Sequence, residues 1–123
     1  MSGQNLGLLL ATTLFLGLFP PLAKAEKTDV VILVNGNAVT GEVKSLDFGS
    51  LRYSTDSMGT VNIDWEDIVS VTSQQDLQIE LADGTRYFGK MFPADDSYFV
   101  RIVTVDEEMV IESSRIVRIT PIE

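Results

Sequence analysis

Val30-Val31-Ile32-Leu33-Val34-Asn35-Gly36 is followed 48 residues later by Gln78-Ile79-Glu80-Leu81-Ala82-Asp83-Gly84. Each run is rich in apolar residues and ends in a turn dipeptide. Asn-Gly and Asp-Gly are the strongest short hairpin signals, because a type I′ turn needs positive φ at both central residues. Working outward from this pair, residues 29–72 lie over 77–120 without a gap. Eight of the 44 columns are identical: Leu33/Leu81, Gly36/Gly84, Gly41/Gly89, Asp47/Asp95, Ile63/Ile111, Ile68/Ile116, Val69/Val117 and Thr72/Thr120. Residue usage alone gives about three. The chain therefore reads as two copies of one unit, a first β-repeat over 29–73 and a second over 76–121.

Each copy reads as five short strands: 30–34, 38–46, 51–55, 61–65 and 68–72, then 77–82, 86–92, 99–105, 109–112 and 116–120. Gly41 and Gly89 fall inside the second strands, where glycine signals a bulge or bend at which a side chain would clash. Glu66-Asp67 reads as a tight corner, and Ser113-Ser114-Arg115 as a single helical turn. No other helix is expected. The predicted class is all-β: two tandem five-stranded small barrels, or one shared sandwich. A unit of about 45 residues is marginal alone, so the halves are expected to share an interface and unfold together.

In the second copy Leu77, Ile79 and Leu81 alternate with Gln78 and Glu80, the pattern of a strand with one wet face. In the first copy the matching outer positions are Val30, Ile32 and Val34, so that strand is predicted to be buried on both faces. The aromatic residues of the second copy suit this: Phe88, Phe92 and Tyr98 stand where the first copy has Thr40, Lys44 and Ser50. These six residues form a possible interaction surface. The favoured expectation is that the aromatics cover Val30, Ile32 and Val34 within the chain, since large apolar patches are rare on monomers. A partner chain over that face is the alternative.

Residues 1–25 read as a secretory signal peptide. An uncharged apolar stretch over 6–19 is too short to span a bilayer, Pro20-Pro21 breaks it, and Ala23-Lys24-Ala25 offers small residues for cleavage before Glu26. The n-region lacks Lys and Arg, which leaves an uncleaved anchor as the alternative. Loss of Lys24 takes the net charge from −9 to −10. After cleavage no stable membrane span is expected.

The whole sequence has no His and no Cys. Disulfides, thiolate or imidazole ligands and the Ser-His-Asp and Cys-His catalytic arrangements are thereby excluded. The acidic balance opposes binding to a phosphate backbone. No enzyme, cofactor or metal site is expected. Asp64, Glu66 and Asp67 around Trp65 raise a Ca²⁺ or paired-carboxylate reading, set against carboxylates that merely cap a turn. Asp95-Asp96 and Asp106-Glu107-Glu108 read as turn chemistry.

Val31 to Gly36, Val39-Thr40-Gly41-Glu42-Val43, Val61-Asn62-Ile63-Asp64-Trp65, Ile68 and Val71 together resemble the Sm-like and SH3-like β-modules of bacterial envelope proteins. The pattern is similar to the N-terminal region of salt-induced outer-membrane proteins. No binding residue is carried over from either group, and the basic character of RNA-binding Sm proteins is missing. The resemblance implies an exported, non-catalytic β-module in the periplasm or secreted. It would mediate protein–protein interaction or self-assembly, with an envelope protein or a second copy as partner and no nucleic acid. The alternative is a small-ligand or Ca²⁺-binding envelope protein.

Overall fold

Both glycine-ended runs lead into hairpins, but the second does so as the far end of a longer strand. The structure, a computed structural model, describes residues 28–122; the predicted signal peptide lies outside the described residues. Nine strands follow in order: β1 (Asp29–Leu33), β2 (Ala38–Asp47), β3 (Ser50–Thr55), β4 (Gly59–Asp64), β5 (Ile68–Leu81), β6 (Arg86–Pro93), β7 (Phe99–Val103), β8 (Glu108–Glu112) and β9 (Ile116–Pro121). Two single 3-10 turns, Trp65–Asp67 and Ser113–Arg115, join β4 to β5 and β8 to β9. No helix among the described residues is long and apolar enough to cross a membrane.

The strand order is β4-β3-β2-β1-β5-β6-β7-β8, with β9 paired to both β2 and β5. Strands β1, β2, β9 and β5 therefore close on one another as a small four-stranded barrel. The β3-β4 pair and the β6-β7-β8 ribbon extend from it, leaving β4 and β8 with one strand neighbour each. The barrel draws on both sequence segments. Leu46 of β2 pairs with Ile119 of β9, and Ser73 of β5 pairs with Met91 of β6. One buried cluster holds Val31, Leu46, Leu51, Trp65, Leu77, Ile79, Ile102 and Ile119, so the two segments share a core.

The fourteen-residue β5 replaces two strands expected as separate. The polar Gln74-Gln75-Asp76 stretch lies between those two expected strands and is part of β5. Gln75 turns inward, and its Nε2 donates to Asp29 Oδ2 at 2.7 Å and to the Val43 carbonyl at 3.1 Å. The β5-β6 register slips between Ser73 and Leu77, which absorbs the irregularity within the strand. Asp29 Oδ2 also accepts from the Val43 amide at 2.9 Å, so this buried carboxylate is hydrogen-bonded, as buried charge must be. Beside it the Tyr53 hydroxyl donates to the carbonyls of Asp29 (2.7 Å) and Val39 (2.9 Å). Burial, and then the Asp29 charge, push the Tyr53 pKa well above its ordinary value, against a smaller lowering from the Gly41 backbone.

Gly41 and Gly89 are required by close approach. A Cβ on Gly41 would lie 2.3 Å from the Ser54 carbonyl oxygen, and one on Gly89 would lie 2.2 Å from that of Val103. The register break in β2 comes later, between Val43 and Ser45.

Two further sequence expectations are corrected. The Asn35-Gly36 turn is not type I′. Only Gly36 has positive φ (89°), and its amide donates to the Leu33 carbonyl while Leu33 N–H donates to Asn37, a type I turn with a glycine bulge. Asp83-Gly84 turns the same way; there the Thr85 amide and hydroxyl, and more weakly Arg115, hold the Asp83 carboxyl below its usual pKa. The second correction concerns the ungapped overlay. Leu51 pairs with Ile63, whereas Val100, not Phe99, pairs with Ile111. The 93–99 connection carries one extra residue, and the β7-β8 turn is one shorter.

A candidate recognition cleft between the two 3-10 turns

The edge strands β4 and β8 each end in an extended residue followed by a 3-10 turn. Asp64 (φ −63°, ψ 128°) and Glu112 (φ −64°, ψ 129°) adopt nearly the same backbone, and each turn closes through an amide of the following β-strand, Ile68 N–H to Trp65 and Ile116 N–H to Ser113. The turns meet. Trp65 Nε1–H donates to the Ser113 carbonyl at 2.8 Å, so the indole's polar atom is satisfied and the ring is available as an apolar wall.

Two residues behind the turns hold left-handed backbone so that their carbonyls point at them. Gly49 (φ 74°) accepts from Trp65 N–H, and Tyr98 (φ 67°) accepts from the Ser113 amide and hydroxyl. Glycine adopts this conformation freely, whereas for tyrosine it costs about 1–2 kcal/mol. Phe48 (φ 52°) precedes Gly49 in a two-residue loop between the paired Asp47 and Ser50, with both loop residues at positive φ. The type I′ turn is thus here, occupied by a phenylalanine that is 92% exposed.

Between the turns opens a cleft of about 720 Å³, lined by Gly49, Asp64, Trp65, Glu66, Tyr98, Glu112, Ser113 and Ser114. A second hollow of about 410 Å³ shares Gly49, Trp65 and Ser114 and continues past Phe48, Ile116 and Val117 to Asp47 and Arg118. The first hollow is lined by three carboxylates and no cation. Asp64 and Glu112 sit at the N-terminal boundaries of their turns, yet neither side chain makes a capping hydrogen bond, so turn-capping does not explain them. Lys44, Arg86, Lys90, Arg101, Arg115 and Arg118 form ion pairs with other acids. The second hollow is electrically balanced, because Arg118 lies 3.6 Å from Asp47.

The six residues singled out from sequence do not gather. Val30 and Ile32 are half-buried on the outer side of β1; Val34 is exposed in the turn that follows. Phe92 lies on the same outer surface: Val30 pairs with Thr72, and the next residue, Ser73, pairs with Met91. Phe92 is therefore a lateral neighbour and not a lid. The Arg101 guanidinium stands 5.1 Å from its ring centre, a cation–π contact. Phe88 is exposed further along β6, opposite Gln78. Tyr98 alone reaches the cleft. The expectation that β1 is buried on both faces thus fails at Val34, which is 62% exposed.

Sequence reading singled out the acids around Trp65 but missed Phe48, Glu112 and Ser114 as their neighbours. The one signal for Phe48 was a bulky aromatic in a position where turn chemistry asks for Asn or Gly. Among the described residues no three acidic side chains come together in a way that would hold a metal ion. The hairpin tip at 104–107 is held by Thr104 Oγ1, which accepts from the amides of Asp106 and Glu107. Comparison with protein-family models, curated proteins and solved structures gave no match.

Proposed function

We propose that this chain is an exported, non-catalytic β-module of the bacterial envelope that works by binding another protein. In this reading it consists of two copies of an Sm- or SH3-like unit that pair the second strand of each with the last strand of the other. The observation that carries the recognition role is the cleft between the 3-10 turns. It is a concave surface of ligand-site size with aromatic walls and carboxylates that no capping bond uses. The chemistry available points the same way: with no His and no Cys, the side chains most used for general-base and nucleophilic work are missing.

The Ca²⁺ alternative draws no support from the placement of Asp64, Glu66 and Asp67, which do not converge as a set of hard oxygen ligands. Self-assembly remains the competing form of protein contact, since β4 and β8 each have an open edge. Co-purification of the mature chain from native envelope, together with sedimentation of the purified protein, tests the reading. A partner retained by the wild type and lost with Tyr98→Asn is the expected result. A strictly monomeric protein that retains nothing would end it.

A further inference from the structure

We infer that the two joined hollows form one groove for an extended peptide segment of the partner, with a Lys or Arg side chain in the acidic hollow and an apolar side chain beside Phe48 and Val117. This rests on the protein-binding reading above and specifies its ligand. Three observations carry it. First, the hollows adjoin, with Gly49, Trp65 and Ser114 lining both, so an extended ligand reaches from one to the other. Second, the charge is one-sided: Asp64, Glu66 and Glu112 line the first hollow with no lining cation, while the one cation of the second, Arg118, is answered by Asp47. A ligand cation placed there meets three lining carboxylates, with no cation in the lining, and the rings of Trp65 and Tyr98, the combination that favours guanidinium or ammonium groups. Third, the far end is apolar and open, with Phe48 92% and Val117 41% exposed. An anionic or purely apolar ligand matches one end only.

Phe48 and Tyr98 add a reason for the groove's form. Both are aromatic residues held at positive φ, where glycine or asparagine would be less strained. Strain of this kind persists where function uses the side chain, and these two stand at opposite ends of the groove.

Trp65 is the only tryptophan in the chain and borders both hollows, so its emission reads occupancy directly. The probes are acetylated, amidated Gly-Leu-Arg-Leu-Gly and its counterparts with Gln or Glu replacing Arg. The Arg peptide is expected to shift the emission saturably, with the Gln peptide about tenfold weaker and the Glu peptide weaker still. Glu66→Gln combined with Glu112→Gln, both at exposed positions, should bring the Arg peptide down to the Gln peptide's affinity. Phe48→Asn should weaken the Arg and Gln peptides alike, and far-UV circular dichroism checks that each variant is folded. Equal titrations by the Arg and Glu peptides, or no emission change up to about 10 mM peptide, overturn the inference. An envelope protein retained equally by the wild type and the double variant overturns it too, while leaving the broader protein-binding reading in place.

Discussion

Trp65 and Ser113 stand 48 residues apart, and the indole of one donates a 2.8 Å hydrogen bond to the carbonyl of the other. They occupy the same column of the sequence overlay, so the contact joins the two segments at equivalent corners. The Ser113 carbonyl also closes its own 3-10 turn by accepting from Ile116. The bond thus couples a side chain of one segment to the backbone geometry of the other.

This coupling, with strand pairing across the segments, predicts a single unfolding transition. Urea curves followed by Trp65 fluorescence and by far-UV circular dichroism should coincide. Trp65→Phe keeps the ring but removes the N–H donor, and is expected to lower stability by about 1–2 kcal/mol while leaving one transition. Two resolved transitions in the wild type would show that the segments fold separately, whatever their shared core.

The glycines give an ordered series. A Cβ at Gly41 or Gly89 meets a backbone carbonyl of the neighbouring strand, which yields only if the sheet moves. Gly41→Ala and Gly89→Ala should each cost about 3 kcal/mol or prevent folding. Gly36→Ala has open space around it and pays only for its positive φ, about 1–2 kcal/mol. Chemical denaturation midpoints that place Gly36→Ala below the other two would contradict the packing argument.

The glycine positions also show what was legible in the sequence. A glycine within a strand has one main structural meaning, close approach or a bend, so Gly41 and Gly89 could be read directly. Alternating polarity likewise marked Leu77, Ile79 and Leu81, which are all buried. What could not be read depends on partners distant in sequence. Gln75 looks like a linker residue until Asp29 and Val43 are placed beside it. Val30 and Phe92 are both apolar, but only the register across β5 decides whether one covers the other or lies alongside it. The cleft is of this second kind. Its walls come from four separate stretches of chain, and Glu112 draws no notice until the turns meet.

Phe48 offers a test of the strain argument that is independent of any ligand. Its side chain is almost wholly exposed and its φ is 52°, so the residue gives little packing and bears a backbone cost. Phe48→Asn would place Asn-Gly in a type I′ turn, the favoured composition there. Stability should rise by about 0.5–1 kcal/mol, read as a higher urea midpoint with unchanged slope. A lower midpoint would mean that the phenyl ring packs more than its exposure indicates.

Tyr53 sets the response to alkali. Its buried hydroxyl donates to two carbonyls and lies near the Asp29 carboxylate, and burial followed by that charge raises its pKa above the ordinary 10.0. The unfolded chain therefore releases this proton at a lower pH than the folded one. The stabilisation is fully present below pH 10.0 and is lost progressively as the pH rises towards the folded value. Over that interval one proton's difference between the states lowers stability by about 1.4 kcal/mol per pH unit. Tyr53→Phe removes the titration but leaves the carbonyls of Asp29 and Val39 without their donor, at a cost of about 1–2 kcal/mol at neutral pH. The variant should thus be less stable than the wild type at pH 7, and the gap should close above pH 10.0. Urea midpoints of both proteins across pH 7 to about 11 check this. A gap that stays constant would mean that the hydroxyl ionises as easily in the folded state as in the unfolded chain, which its burial and the nearby Asp29 charge oppose.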